Sequence, residues 1–305
     1  MATGGVITKT GKNVMLNRTY KSSPTYTIPS TFRIGIGTTT PVAADTGLGI
    51  HIPIGDGTVN DDGSNTLTSS DGGENSTSNT TTYKEGAGVT DGTAQNLKTD
   101  NSSVTKRWYI ADLASAGTKI TGTEPVSLWL YIKDAAALAM FKSSGTALEI
   151  RLGSMLATNY FKITRTASQL AVGWNWITTG TTNVEDLTET GTVAGDIDTF
   201  EIVITTNNAA DDWDDTDVIY DLLRQWEVAD LSDTFVTGYP VFDETNKKVT
   251  LRYYLNSLQA NGFPITETGS FNTDGTPLII DHDVFTSISK TSTDEIAIVV
   301  VNTMV

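Results

Sequence analysis

The chain has 305 residues, with 20 Lys plus Arg against 36 Asp plus Glu, a formal net charge of −16, two His and no Cys. Without thiols it has no Cys-based zinc site, thiol nucleophile, redox pair, disulfide framework or iron–sulfur cluster. The acid excess argues against a nucleic-acid surface and against docking on anionic lipid, both of which need clustered Lys and Arg.

What remains is a Thr-rich chain, with 52 Thr, whose 38% hydrophobic content is enough to build a core. β-Branched and aromatic residues fit a pleated, half-buried surface, and they recur here in short runs broken by Gly, Asn and Asp. The N-terminus, Met1-Ala2-Thr3-Gly4-Gly5, lacks the basic start and apolar stretch of a signal peptide. The expectation is a chain made and folded in a cytoplasm. In chain order, strands are predicted over residues 32–36, 126–132, 148–152, 160–163, 200–205, 218–223, 249–255 and 295–301. The longest apolar run, Ile296 to Val301, falls far short of the roughly 18 residues of a membrane helix. Helical signal is thin. Asp134 can N-cap a two-turn helix over Ala135 to Phe141, and residues 166–170 suit a single turn. The fold class is therefore all-β, of sandwiches or barrels with very little helix.

From Gly55 to Thr81 the aliphatic residues are Val59 and Leu67 alone, amid Gly, Asp, Asn, Ser and Thr. By composition 55–81 is a linker, because it offers too little apolar surface to offset its ordering entropy. A second break falls at 228–233. The outer pieces, 1–54 and 234–305, are each small for a sandwich, and together they amount to one domain. The economical organisation is an outer β-sandwich interrupted by an inserted domain at 82–227. The alternative is three successive units, two of them undersized.

Two outer segments resemble a recurrent type of tailed-bacteriophage virion protein. Phe32 to Leu48, FRIGIGTTTPVAADTGL, is similar to the GxGTTxPxxxDTxL stretch of tail, neck and fibre-associated components. Ile265 to Leu278, ITETGSFNTDGTPL, followed by Phe285 to Thr291, is similar to their ending, with Ser270 where Leu is usual. The middle block resembles a jelly-roll module of the carbohydrate-binding or laminin-G-like sort. The residues that carry this likeness are Tyr83-Lys84-Glu85-Gly86, Val126 to Asp134, Leu148 to Ser154, Gly173-Trp174-Asn175-Trp176-Ile177 and Asp217 to Leu223. The resemblance implies a non-enzymatic virion structural protein and a homo-oligomer, trimeric or higher, that contacts other virion proteins. It also implies a jelly roll displayed toward host-surface glycan. A receptor-binding adhesin and a capsid decoration protein are the alternatives.

Candidate sites follow from that likeness. Trp174 and Trp176 are expected on opposite faces of one strand, one in the core and one free to stack on a sugar ring; Trp213 is a third stacking candidate. The run Asp211-Asp212-Trp213-Asp214-Asp215-Thr216-Asp217 gathers five carboxylates. Calcium takes six to eight oxygens, and jelly-roll modules often hold a structural calcium. Asp211, Asp212, Asp214, Asp215 and Asp217 are thus candidate ligands, with a solvated acidic loop as the alternative. No catalytic residue is assigned. No phosphate loop, dinucleotide fingerprint or HExxH motif is present. His51 and His282 read as ordinary strand or loop residues, although Asp281 and Asp283 flank the latter.

Overall fold

The computed structural model describes residues 5–55, 57–84 and 92–303. Residues 1–4 of the N-terminus, Asp56 of the expected linker and Glu85-Gly86 of the quoted jelly-roll segment lie outside the described residues. The chain is nearly all β, and its described residues divide into two compact units. The outer unit combines both chain regions, 5–55 and 229–303, and the inner unit holds 57–84 and 92–228.

The outer unit has two antiparallel sheets. In the first, Val6–Ile7, Asp281–Ser289, Pro264–Asn272, Pro29–Gly35 and Asp233–Thr234 lie side by side in that order. In the second, Lys248–Leu255 lies between Val241–Asp243 and Ile296–Thr303. The sheets meet through Phe32 and Tyr253, both fully buried, whose rings stack with centroids 4.6 Å apart. A helix, Lys9–Tyr20, was not predicted from sequence. It has no apolar stripe and buries just Gly11 and Val14. Its start is set by Thr8, whose hydroxyl accepts from Gly11 N and donates to Ile279 O at 2.7 Å. A Cβ on Gly11 would lie 2.2 Å from Ile280 O, so glycine permits the helix backbone to press onto that segment.

The inner unit is a sandwich of two antiparallel sheets over one apolar core. One sheet runs Thr188–Thr190, Asn159–Arg165, Leu148–Met155, Thr199–Thr205, Thr105–Ile110, Thr68–Asp71. The other runs Gly173–Thr178, Val126–Ile132, Val218–Gln225, Ala94–Asn96, Thr77–Asn79, with Thr58–Asp61 also paired to Val218–Gln225. Alternation does the sorting. In Val126–Ile132, Val126, Leu128, Leu130 and Ile132 enter the core cluster, which leaves Ser127, Trp129 and Tyr131 on the opposite face. The helix Ala135–Met140 is capped by Asp134, whose carboxylate accepts from Ala136 N and Ala137 N.

Residues 57–81, expected to be a linker, are part of the inner unit. Thr58–Asp61, Thr68–Asp71 and Thr77–Asn79 are strands of the inner sheets, and Leu67 is fully buried in the core. Composition misled because order there comes from hydrogen bonding more than from apolar burial. Asn60 is fully buried and donates to Thr118 O and Lys119 O. Asp61 accepts from the Tyr220 hydroxyl at 2.7 Å and from Asn65. Ser76 donates to Gln95, and Asn79 to Asn96, each at 2.7 Å. Every such pairing removes a desolvation cost that composition alone counts against the segment. The return stretch 228–233 is structured as well. Leu231 is buried, and Asp233 pairs with Phe32 in the outer unit. Nearby, Ile54 N and Gly55 N both donate to Asp230 O.

All six Trp fall within 57–228, so indole fluorescence reports the inner unit. Leu67→Ala is expected to cost about 2–5 kcal/mol in urea unfolding followed by Trp fluorescence. A free linker would give no change.

Candidate functional site

The aspartate run does not converge. Asp211 accepts from Asn208 N, Asp212 from the Thr99 hydroxyl, Asp215 from the Thr77 hydroxyl, and Asp217 from Lys133 Nζ at 2.7 Å and from Asp214 N. Neighbouring carboxylates thus take separate protein donors, and among the described residues no group of three or more His, Asp or Glu is placed to hold a metal ion. Trp213 is 1% exposed. Its Nε1 donates to Ala137 O and its ring lies 4.9 Å from Phe141, so it packs the core and offers no face to a ligand.

Trp174 and Trp176 do not straddle their strand. Residues two apart share a face, and both indoles lie on the face opposite the core. Trp174 pairs in register with Tyr131, and Trp176 with Trp129. Their ring centroids each stand 6.4 Å from Trp129, with Trp174 5.3 Å from Tyr131 and Trp176 5.9 Å from Trp226. Trp129 and Trp226 are buried, and Lys84 Nζ sits 4.5 Å above the Trp129 ring. Trp174 and Trp176 are half-buried on Gly173–Thr178, an edge strand of its sheet, so they are the accessible rim of this five-ring cluster. The other sheet carries a charged ladder instead. Glu201 receives Arg107 at 3.2 Å and Arg151 at 2.9 Å, and Arg151 also holds Glu149. Of the two sheets, the one with the aromatic cluster is therefore the candidate for binding a neutral ligand.

In the outer unit, structure reveals a cluster that sequence reading missed. Glu267, 1% exposed, accepts from Gly37 N, Gly49 N and Ile50 N, each at 2.8 Å, and contacts His282 Nε2 at 3.1 Å. His282 Nδ1 lies 2.7 Å from Asp45, which also accepts from Val42 N. Gly37, Asp45 and Gly49 lie in or beside the first of the two quoted segments, and Glu267 lies in the second; the cluster locks one to the other. A Cβ on Gly37 would stand 2.5 Å from Glu267 Oε1, so this approach needs glycine. Ser270, the departure from the quoted pattern, is buried and bonds Asp281 through both N and Oγ. Both ring nitrogens of His282 face carboxylates, which leaves no free nitrogen to serve as a general base.

Burial alone would raise the Glu267 pKa, but His282 and the three backbone N–H groups outweigh it and the net shift is downward. For His282, burial lowers the pKa, and the hydrogen bonds its ring donates to Glu267 and Asp45 overcome it, so the net shift is upward. Burial and Asp281 push Asp283 up to about 7, against the opposing pull of His282. His51, facing Gly35 across a β-bridge, is lowered by burial and by Arg33. A separate apolar cavity of about 420 Å³ is lined by Ile7, Met15, Ile28, Phe242, Val249 and Leu251. Asp281 at its wall is engaged by Ser270 and Asn302.

The chain matches no known protein family, no curated protein and no solved structure.

The cluster predicts a pH window for the outer unit. Glu267's depressed pKa contributes stability above its ordinary 4.5, lost as pH falls through the folded value. His282's raised pKa contributes stability below its ordinary 6.5, lost as pH rises through the folded value. Asp283 adds a loss as pH climbs from 3.8 toward about 7. Thermal melts followed by circular dichroism should show the outer transition weakening below about pH 4.5 as Glu267 is protonated, and declining as pH rises toward 7 through Asp283, with a further loss above pH 6.5 through His282. Glu267→Gln, which faces an amide toward backbone donors, should cost that transition about 3–5 kcal/mol while the Trp-fluorescence transition stays in place.

Proposed function

We propose that the chain is a non-enzymatic structural component of a tailed-phage virion, in the tail, neck or fibre, made in the host cytoplasm and assembling through its outer unit. The observation that carries the assembly role is the distribution of exposed apolar side chains. Leu16, Tyr20, Ile28, Val42, Ile50, Val241, Phe242, Tyr254, Leu258, Val299 and Val301 are exposed in the outer unit. Among the described residues the larger inner unit exposes Tyr83, Val104, Met155, Val172 and Val228. This uneven distribution favours the outer unit over the inner one as the interaction surface. The virion context rests on the likeness of the two outer segments, and their mutual lock at Glu267 supports treating them as one built unit.

The inner unit, read as a jelly roll, would then be displayed for weak glycan binding made useful by many copies. Trp174 and Trp176 favour this role. They sit side by side on an edge strand, roughly 7 Å apart by strand rise, with indole faces suited to the C–H faces of a sugar. If glycan binding were the main role the chain would be an adhesin; a capsid decoration protein is the remaining assignment.

Mass spectrometry and immunogold labelling of purified particles should find the chain at a fixed copy number, and its absence would sink the virion reading. On a glycan array, Trp174→Ala with Trp176→Ala should reduce binding by about tenfold or more, the range for losing stacked aromatic contacts. Binding that survives in the double variant would place the glycan site elsewhere. Host polysaccharide should leave incubation with the protein at unchanged length.

A further inference from the structure

Strand Ile296–Thr303 is an edge of the outer unit's three-stranded sheet. It pairs with Lys248–Leu255 through eight successive residues without a bulge. Among the described residues its other side has no backbone partner. Natural edges are guarded by charge, proline, bulges or a short length. This edge has none of these: Ile296-Ala297-Ile298-Val299-Val300-Val301-Asn302-Thr303 is uncharged and regular. Val299 and Val301 are 55% and 52% exposed on its outward face.

Charge distribution identifies the occupant. Two chains of net charge −16 repel each other over most of their surface. Along 296–303 that repulsion is absent. Pairing places Arg252 beside Val299 and Lys248 beside Thr303, with Asp243 the acidic neighbour of Lys248. The outward face of this sheet thus carries Lys248 and Arg252 against Asp243 and Glu295, the latter accepting from Tyr254, and is locally neutral on an otherwise acidic molecule. Val241 and Tyr254 extend its exposed apolar surface.

We propose that Ile296–Thr303 pairs antiparallel with the same strand of a second copy, about a two-fold axis through Val299 and perpendicular to the sheet. Two three-stranded sheets become one six-stranded sheet, by the strand addition that open edges support, in a self-complementary contact. In this register Val299 faces its own copy, Ala297 faces Val301, Ile298 faces Val300, and Glu295 faces Thr303. The central pairs are apolar on apolar, Ile296 faces Asn302, and no like charges are opposed. The inference deepens the assembly role proposed above by naming partner and surface; it rests on that reading for its particle context alone.

The absence of Cys makes the test direct. In the full chain, Val299→Cys is the sole thiol and stands opposite itself across the axis. Mild oxidation should convert most of it to a covalent dimer. Val172→Cys, exposed to a similar degree in the inner unit, should remain monomeric. Ala297→Cys and Val301→Cys should cross-link when mixed and far less when alone. In sedimentation equilibrium Val299→Lys should weaken self-association by about tenfold or more, because two ammonium groups would meet at the axis, with circular dichroism confirming its fold. Cross-linking of Val299→Cys no greater than that of Val172→Cys would overturn the pairing, whatever purified particles contain. Absence of the chain from particles, with the cross-link intact, would instead overturn the virion reading.

Discussion

A buried carboxylate without donors would be among the most costly features a small β-sheet could carry. Glu267 avoids that cost because three backbone N–H groups and an imidazole converge on its two oxygens. The loop from Gly37 to Ile50 has little regular structure of its own, and these bonds are what its backbone folds around. Glycine at position 37 follows from the space the carboxylate occupies, and Asp45 follows from the second nitrogen of His282. Removing Glu267 would leave three backbone N–H groups and one imidazole nitrogen without their acceptor, so the outer unit leans on this one carboxylate.

The inner unit solves a different problem. Its core is conventional, with alternating aliphatic residues on facing sheets, but part of its wall is built from Asn, Ser, Asp and Thr. Asp61, Ser76, Asn79 and Gln95 are buried with their polar atoms committed to neighbours, and the buried Asn60 commits its amide nitrogen. Such a network is specific in a way that apolar packing is not, because each donor must find its acceptor at a fixed place. It also explains how a stretch with so few aliphatic residues stays ordered.

What was legible in the sequence follows the same division. Strands with strong period-two patterning, such as Val126–Ile132 and Lys248–Leu255, could be read directly, because apolar burial leaves a pattern in residue type. Asp134 announced its helix by capping logic. The helix Lys9–Tyr20 could not be read from periodicity, since it buries two small residues; its one visible signal was Thr8 as N-cap. The strands within 55–81 were hidden because hydrogen-bond partners lie far away in sequence. Glu267 looked like one acid among 36, and nothing local distinguishes a carboxylate that three distant amides will meet. Trp174 and Trp176 were misplaced for a simpler reason: spacing of two residues puts side chains together on a strand. The aspartate run was visible as a cluster in sequence, but its side chains are spent singly on turns and neighbours.

The bonds from Ile54 N and Gly55 N to Asp230 O have a consequence for modularity. From the standpoint of the outer sheets, everything between those residues is a single loop whose ends are held together. Closing a loop costs free energy that grows with the logarithm of its length, about 0.6 kcal/mol for each doubling. The outer unit therefore imposes a requirement on the spacing of that loop's ends and very little on its contents. A shorter hairpin or a larger domain could occupy the same doorway at nearly the same cost, so the inner unit is the part of this chain most open to exchange.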